Sequence, residues 1–371
     1  MKKQYIVVAV LVLIVIGFLV SKDNTPVSTE KIRIGSVISL TGFASPWGEY
    51  ARNGINLAVK NINNAGGIDG KMVEVVIEDD QTDGKQAVSA YNKLLSIDKV
   101  QGVIGGVFDF TAQPLFPLAL SNKLALISPS NFRIAGGFDL NDQSFVMLPD
   151  FNKVIRQLKT YVVGEQVKKL AVVHFKSTFG NEIANTLNAV VKEIGNQSDL
   201  VNEEYTKIGG NDFRTLIIKL KSQKVDAVFL DMVGDDPLNF LVQSKQLSFK
   251  PKFISYNGIT DAFANEKDKS LLEGVVVLNW EVSSAKFIDL YKNTYNIEPT
   301  KSADKYFDSV YVLAQAISRT SDLSKVSAYL SETKFTTPNG LITFTKEHSA
   351  ETTPVQINII TGGVQVPYKV K

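Results

Sequence analysis

From Lys31 to about residue 320, short apolar runs alternate with amphipathic stretches, and this alternation leaves the chain few architectures. "KIRIGSVISL" reads as a strand, with Ile32, Ile34, Val37 and Ile38 apolar. "YARNGINLAVKNINNAGG" reads as a helix, because Ala51, Ile55, Ala58, Val59 and Ile62 recur at helical spacing and Gly66 or Gly67 stops it. "KMVEVVIED" is a strand again and "GKQAVSAYNKLLS" a helix. The runs "VQGVIGG", "LALISPS", "KLAVVHF", "DAVFLDM", "PKFISYN" and "GVVVLNW" continue the series, with helical patterns such as Phe213 to Lys224 between them. Strand–helix alternation on this scale builds βαβ units and parallel sheets. Strands buried between helix layers are apolar on both faces, so several runs are continuous rather than alternating. Near the end, "TPNGLITFT" and "VQINIITGGVQVPYKV" read as strands with no helix between them.

At 371 residues the chain exceeds what one compact core takes, so two α/β lobes are expected. In open sheets of this kind ligands bind beyond the carboxyl ends of the strands. The loops to watch are therefore 39–47, 105–111, 128–132, 174–179, 231–235 and 256–258. The start of the chain stands apart from this pattern. Lys2 and Lys3 precede an uncharged, mostly apolar run from Tyr5 to Val20, the pattern of an export signal. Residues 1–22 are read as a signal anchor or a signal peptide. The anchor is preferred, because Val15 and Leu19 spoil the small-residue pattern that cleavage needs. Residues 23–30 form a polar linker, and positive charges inside place the rest of the chain outside the cytoplasm.

Several chemistries are missing. Net charge is +2 on 40 basic and 38 acidic residues, with no long basic tract, so nucleic acid is not an expected partner. No cysteine is present, which removes disulfides, thiolate metal sites and a cysteine nucleophile. "GGIDGKM" lacks the first glycine of a phosphate loop and has Met72 where a magnesium-binding hydroxyl belongs. It reads as a helix stop and a turn. "EDDQTD" lacks the spacing of a calcium loop and reads as strand-end polar residues and a helix cap. His174 and His348 stand alone in sequence. Neither a G-x-S-x-G elbow nor a G-x-G-x-x-G fingerprint occurs. An enzyme is not expected, and neither a cofactor nor a metal is implied.

The pieces "IRIGSVISLTG…WGE", "AVKNINNAGGIDGKMVEVVIEDDQTDGKQAV", "VIGG…TAQP", "LISPS", "AVVHFKSTFGNEIA", "DFRTLIIKLKSQKVDAVFL" and "NGLITF" fall in one order over residues 31–350. This ordered set resembles the type I periplasmic binding proteins, above all the leucine/isoleucine/valine-binding group of ABC-transporter receptors. The resemblance implies two doubly wound parallel-sheet lobes joined by three crossovers near residues 150, 280 and 336. Residues 31–150 plus 281–335 would form one lobe and 151–280 plus 336–371 the other, so "GLITF" and "VQINII" would share the second. A cleft between the lobes would close on a small-molecule ligand, and an ABC permease in the membrane would be the partner. A tethered sensing domain that signals to a partner protein without transport is the alternative.

The same resemblance names site positions. Hydroxyl residues that grip a ligand carboxylate match Asp109 and Phe132 here, and the acid that pairs with a ligand ammonium matches Asn257. Aromatic positions of the second lobe match Phe179 and Val233, while Trp47 supplies an aromatic wall and Ser130 backbone groups. In "VIGGVFDFTAQP" the strand turns through glycines into a helix start near Thr111, a place that suits an anion, yet Asp109 puts a carboxylate there. Asp109 then either caps its own helix or meets a donor on the ligand. With both carboxylate anchors and the ammonium anchor changed, the expected ligand is amino-acid-like, an amide or an amine, stacked by Trp47, Phe132 and Phe179.

Overall fold

The computed structural model describes residues 30–370 apart from 134–139, 195–199, 257–258, 260–268, 281–282, 300–301 and 352–354. The apolar N-terminal segment, read above as an anchor, and all of the linker but Glu30 lie outside these residues. Among the described residues no helix is long and apolar enough to cross a membrane.

The first part of the chain runs β1 (Ile32–Ile38), α1 (Ser45–Asn64), β2 (Val73–Asp79), α2 (Gly84–Ser96), β3 (Val103–Gly105), α3 (Asp109–Ala112), α4 (Leu115–Asn122), β4 (Leu126–Ser128) and β5 (Ser144–Val146). Its strands form one parallel sheet in the order β2-β1-β3-β4-β5. The order reverses between β1 and β3, which makes that point the place for a ligand crevice. Helix α1 buries Ala51, Ile55, Ala58 and Ile62 of the face its spacing announced and Leu57 besides, while Val59 is only half-buried. Asp83 of the acidic "EDDQTD" caps α2, accepting the N–H groups of Lys85 at 2.9 Å and Gln86 at 3.0 Å. Residues of "GGIDGKM" form a turn closed by an Ile68–Lys71 bridge.

The second part runs α5 (Phe151–Gly164), β6 (Leu170–Phe175), α6 (Thr178–Ile194), β7 (Val201–Tyr205), α7 (Arg214–Ser222), β8 (Ala227–Asp231), α8 (Asp236–Gln246), β9 (Lys252–Tyr256) and β10 (Val276–Asn279). Then come α9 (Ala285–Tyr295), α10 (Ala303–Ser318), α11 (Val326–Glu332), β11 (Phe335–Thr337), β12 (Gly340–Ile342), β13 (Gln356–Thr361) and β14 (Val364–Pro367). The second sheet has the order β14-β13-β10-β9-β8-β6-β7. Its core repeats the first design, with a switch between β6 and β8, and β13 and β14 extend one edge antiparallel. Strand β8 is buried along its whole length, as a strand between helix layers must be.

Helices α9 and α10 return to the first sheet, where Phe287, Tyr291, Phe307 and Val310 share a core with Ile32, Ile34 and Ile55. The expectation that "GLITF" joins "VQINII" on the second sheet is corrected here. Strand β12 pairs only with β11, and Phe335, Ile342, Phe344 and Ala350 belong to the core of the first sheet. His348 stacks on Phe145, and Ser349 bridges to Val146, so this segment stays with the first lobe. The apolar side chains around "GLITF" find their cover in the first lobe, where β11 packs on α10 and Phe344 meets Phe145 of β5 edge-on at 5.0 Å. The chain crosses to β13 only after Ala350.

Candidate ligand-binding site

Both switch points face the same space. The loops after β1, β3 and β4 meet the loops after β6 and β8 and the ends of β9 and β10, enclosing a cavity of about 170 Å³. An apolar cavity of about 150 Å³ holds a benzene molecule, so this one has room for a small organic ligand.

Half of its described lining residues are aromatic. From the first lobe, Trp47 meets Phe108 edge-on at 5.7 Å between ring centres, and Phe108 stacks on Phe110 at 5.6 Å. Phe132, in the loop after β4, reaches across to the second lobe. It stacks on Phe179 at 5.8 Å and meets Trp280 edge-on at 4.7 Å. Tyr256 packs on Trp280 at 5.4 Å. These rings carry one apolar cluster from the first sheet to the second. Tyr306 of α10 closes another side, and its hydroxyl oxygen accepts a bond from Ser130 Oγ at 3.3 Å.

Two carboxylates interrupt the aromatic wall. Asp109 is 7 % exposed and Asp231 is 4 % exposed. Asp109 starts α3, but it does not cap that helix, which corrects the self-capping alternative. Its Oδ2 accepts the backbone N–H of Phe179 at 2.9 Å, across the cleft. Asp231, the last residue of β8, accepts the Tyr256 hydroxyl. Burial pushes its carboxyl up to about 7, with the charge of Asp109 adding to the rise against the Tyr256 hydrogen bond. Burial likewise drives the Tyr256 phenol far above its usual range. Among the described lining residues there is no lysine, arginine or histidine to offset the two acids. Trp280 contributes a buried indole N–H that meets no acceptor among the described residues.

Of the residues singled out from sequence, Trp47, Asp109, Ser130, Phe132, Phe179 and Val233 line this cavity. Thr111 does not. It is fully buried, and its Oγ1 accepts the Phe108 N–H at 3.2 Å and donates to the Phe108 carbonyl at 3.0 Å, closing its own turn. Asn257 lies outside the described residues. His174 is a buried strand residue, with Nε2 2.9 Å from Asn202 Oδ1 and Nδ1 3.1 Å from the Phe175 carbonyl. Asp231 and Tyr256 open two of the loops marked for attention from the sequence but were given no role there, and Trp280 and Tyr306 were not singled out. The first three end or directly follow an apolar strand, which is the signal that finds them.

A family model described as "Periplasmic binding protein" matches residues 31–361. The chain is 26% identical to the "Leucine-, isoleucine-, valine-, threonine-, and alanine-binding protein" of Pseudomonas aeruginosa, over 85% of this chain and 86% of that one. Among solved structures, the branched-chain amino acid transporter substrate-binding protein of Streptococcus pneumoniae, in complex with isoleucine, superposes with a TM-score of 0.77. It is 22% identical and covers 91% of this chain and 98% of its own. A solute-binding protein of R. palustris in complex with benzoate also gives 0.77, at 18% identity over 91% of this chain and 95% of that one. With two α/β lobes, a ligand-sized cavity between them and a family match over nearly the whole described chain, the chain belongs to the periplasmic binding protein family, the extracytoplasmic solute receptors of ABC transporters.

Proposed function

We propose that the solute is a small amine or amide with an apolar or aromatic body and no carboxylate of its own. One observation carries this reading: two buried carboxylates face an aromatic cavity whose described lining residues hold no cationic side chain. A protonated amine balances the buried acids, and aromatic faces attract it further. An amide supplies N–H donors to the same acids and a carbonyl for the Trp280 indole N–H. A ligand carboxylate meets like charge in a desolvated space. Uptake of this solute through a cognate ABC permease is the role that follows. Residues 5–20 would tether the receptor to the membrane, a reading that rests on sequence and that cell fractionation checks.

The test is a melting-temperature screen of the full chain with phenethylamine, isobutylamine, benzamide, isoleucine and benzoate. A ligand that binds only the folded state raises the melting temperature, the more so the further its concentration exceeds its dissociation constant. Phenethylamine or benzamide should raise it, and Asp231→Asn should abolish the amine response. Micromolar binding of isoleucine or benzoate, with the amines and the amide silent, sinks the proposal.

A further inference from the structure

Helix α6 begins at the cavity, on the second lobe. A helix start exposes unpaired N–H groups and a partial positive charge, so it favours an anion. Ser177 Oγ caps α6 by accepting the Gly180 N–H at 3.0 Å, and for the N–H before it the chain supplies an anion from the opposite lobe. Asp109 Oδ2 accepts the Phe179 N–H at 2.9 Å, a contact between residues 70 positions apart. Close by, Thr178 Oγ1 donates to Oε1 of Gln113, the residue just after α3, at 3.4 Å, a second contact across the cleft. Asp231 adds a second carboxylate at this helix start. Its Oδ2 lies 3.1 Å from where a Cβ on Gly180 would stand. Asp109 is itself over nine-tenths buried, and a charge-assisted hydrogen bond to such a group is stronger than a neutral one and less screened by salt than a surface contact.

We propose that Asp109 is a built-in latch. Its carboxylate occupies the anion seat at the start of α6, so the two lobes meet without any anion from the ligand, and a ligand bearing an anion at that point is shut out. Such a ligand has to displace Asp109 from Phe179 and then sit beside two acids. The latch stands whether or not the solute is an amine.

The absence of cysteine makes the test direct, because two introduced cysteines take spin labels at known places. Gln86 on α2 and Asn185 on α6 are exposed and lie on different lobes. Distances between labels at Gln86→Cys and Asn185→Cys are measured in the ligand-free full chain, with Asp109 and with Asp109→Ala. The Asp109 protein should show a short, narrow distribution. Asp109→Ala should lengthen it by several ångströms, and sodium acetate should restore the short distance in that variant while leaving the Asp109 protein unchanged. Identical distributions, or a variant that acetate does not close, overturn the latch. If Asp109→Ala does not fold, Asp109→Asn takes its place, with an intermediate, broader distribution expected and an unchanged one counting against the proposal. No amine or amide enters this experiment, so its failure leaves the amine reading standing, and the reverse holds.

Discussion

Asp231 concentrates the chemistry of the cavity in one side chain. Burial raises its carboxyl to about 7 from an ordinary 3.8. A folded-state pKa above the unfolded one means that the folded protein holds the proton longer. Its stabilising effect is therefore present below about pH 4 and lost as pH rises through about 7. Asp308 is raised to about 7 in the same way, chiefly by burial, and Asp80 is raised too, so the whole protein's pH curve mixes several groups. The difference between the parent chain and Asp231→Asn isolates the contribution of Asp231. Denaturant midpoints measured from pH 4 to pH 8.5 should show the Asn variant gaining on the parent, by on the order of a few kcal/mol at the alkaline end. A constant difference across that range contradicts the assignment. The same residue links binding to protons. A bound ammonium favours ionised Asp231, so amine binding at pH 6 should release a proton, seen as a calorimetric heat that changes with the ionisation enthalpy of the buffer. Asp109 marks the limit of reading residues from sequence. That a carboxylate occupies the loop was visible, but its partner is a backbone N–H in another lobe, and no local pattern encodes such a contact. Asp231 and Tyr256 stood at strand ends, where ligand groups are expected, yet each also reads as an ordinary end of a buried strand.

At the scale of elements, the apolar period of α1 was legible because 3.6-residue spacing is a local property. What the helix packs against was not. Gly54 looks like a weak point within it, since glycine costs about 1 kcal/mol against alanine in a helix. The structure gives another reason for it. A Cβ at position 54 would stand 2.2 Å from the Ala303 carbonyl oxygen, where α10 begins against α1. Backbone cannot yield there as a flexible side chain could. Gly54→Ala should therefore destabilise the chain by about 1–3 kcal/mol despite the better helix former, as overpacking does. A variant that melts higher than the parent would show that the two helices can move apart at no cost. The strand "GLITF" teaches the same lesson from the other side. Its β character was readable from composition, but its place depended on which core could cover Ile342 and Phe344, and that core is built by β5 and α10, distant in sequence.

At the scale of the whole molecule, the order of strands and helices was enough to announce two α/β lobes, because parallel sheets require that alternation. How the lobes are tied together depended on buried polar groups that carry no sequence period. One such group sits where the chain returns from the second sheet to the first. Lys305 and Asp304 on α10 form an ion pair at 3.2 Å, and each is about 97% hidden from solvent. Asn339, in the β11–β12 turn, donates to Asp308 Oδ2 at 2.9 Å and accepts the backbone N–H of Ser284 at 2.7 Å. Ser284 in turn caps α9, its Oγ accepting the Phe287 N–H at 3.1 Å. One polar cluster thus fixes α10, the β11–β12 turn and the segment that leads back from β10. Lys305→Met keeps much of the side-chain volume but strands the Asp304 charge in a dry interior. A buried pair broken on one side costs about 3–5 kcal/mol, far more than the pair is worth when both partners are replaced by apolar groups. The single variant should lose stability on that order, and Lys305→Met combined with Asp304→Leu should recover much of the loss. Hydrogen exchange should place the damage, with the amides of Ser284 and Phe287 losing protection in the single variant ahead of those in β8. If the double variant is no better than the single, or the loss in exchange protection is uniform, the cluster is an ordinary part of the core rather than the tie between α10 and the returning chain.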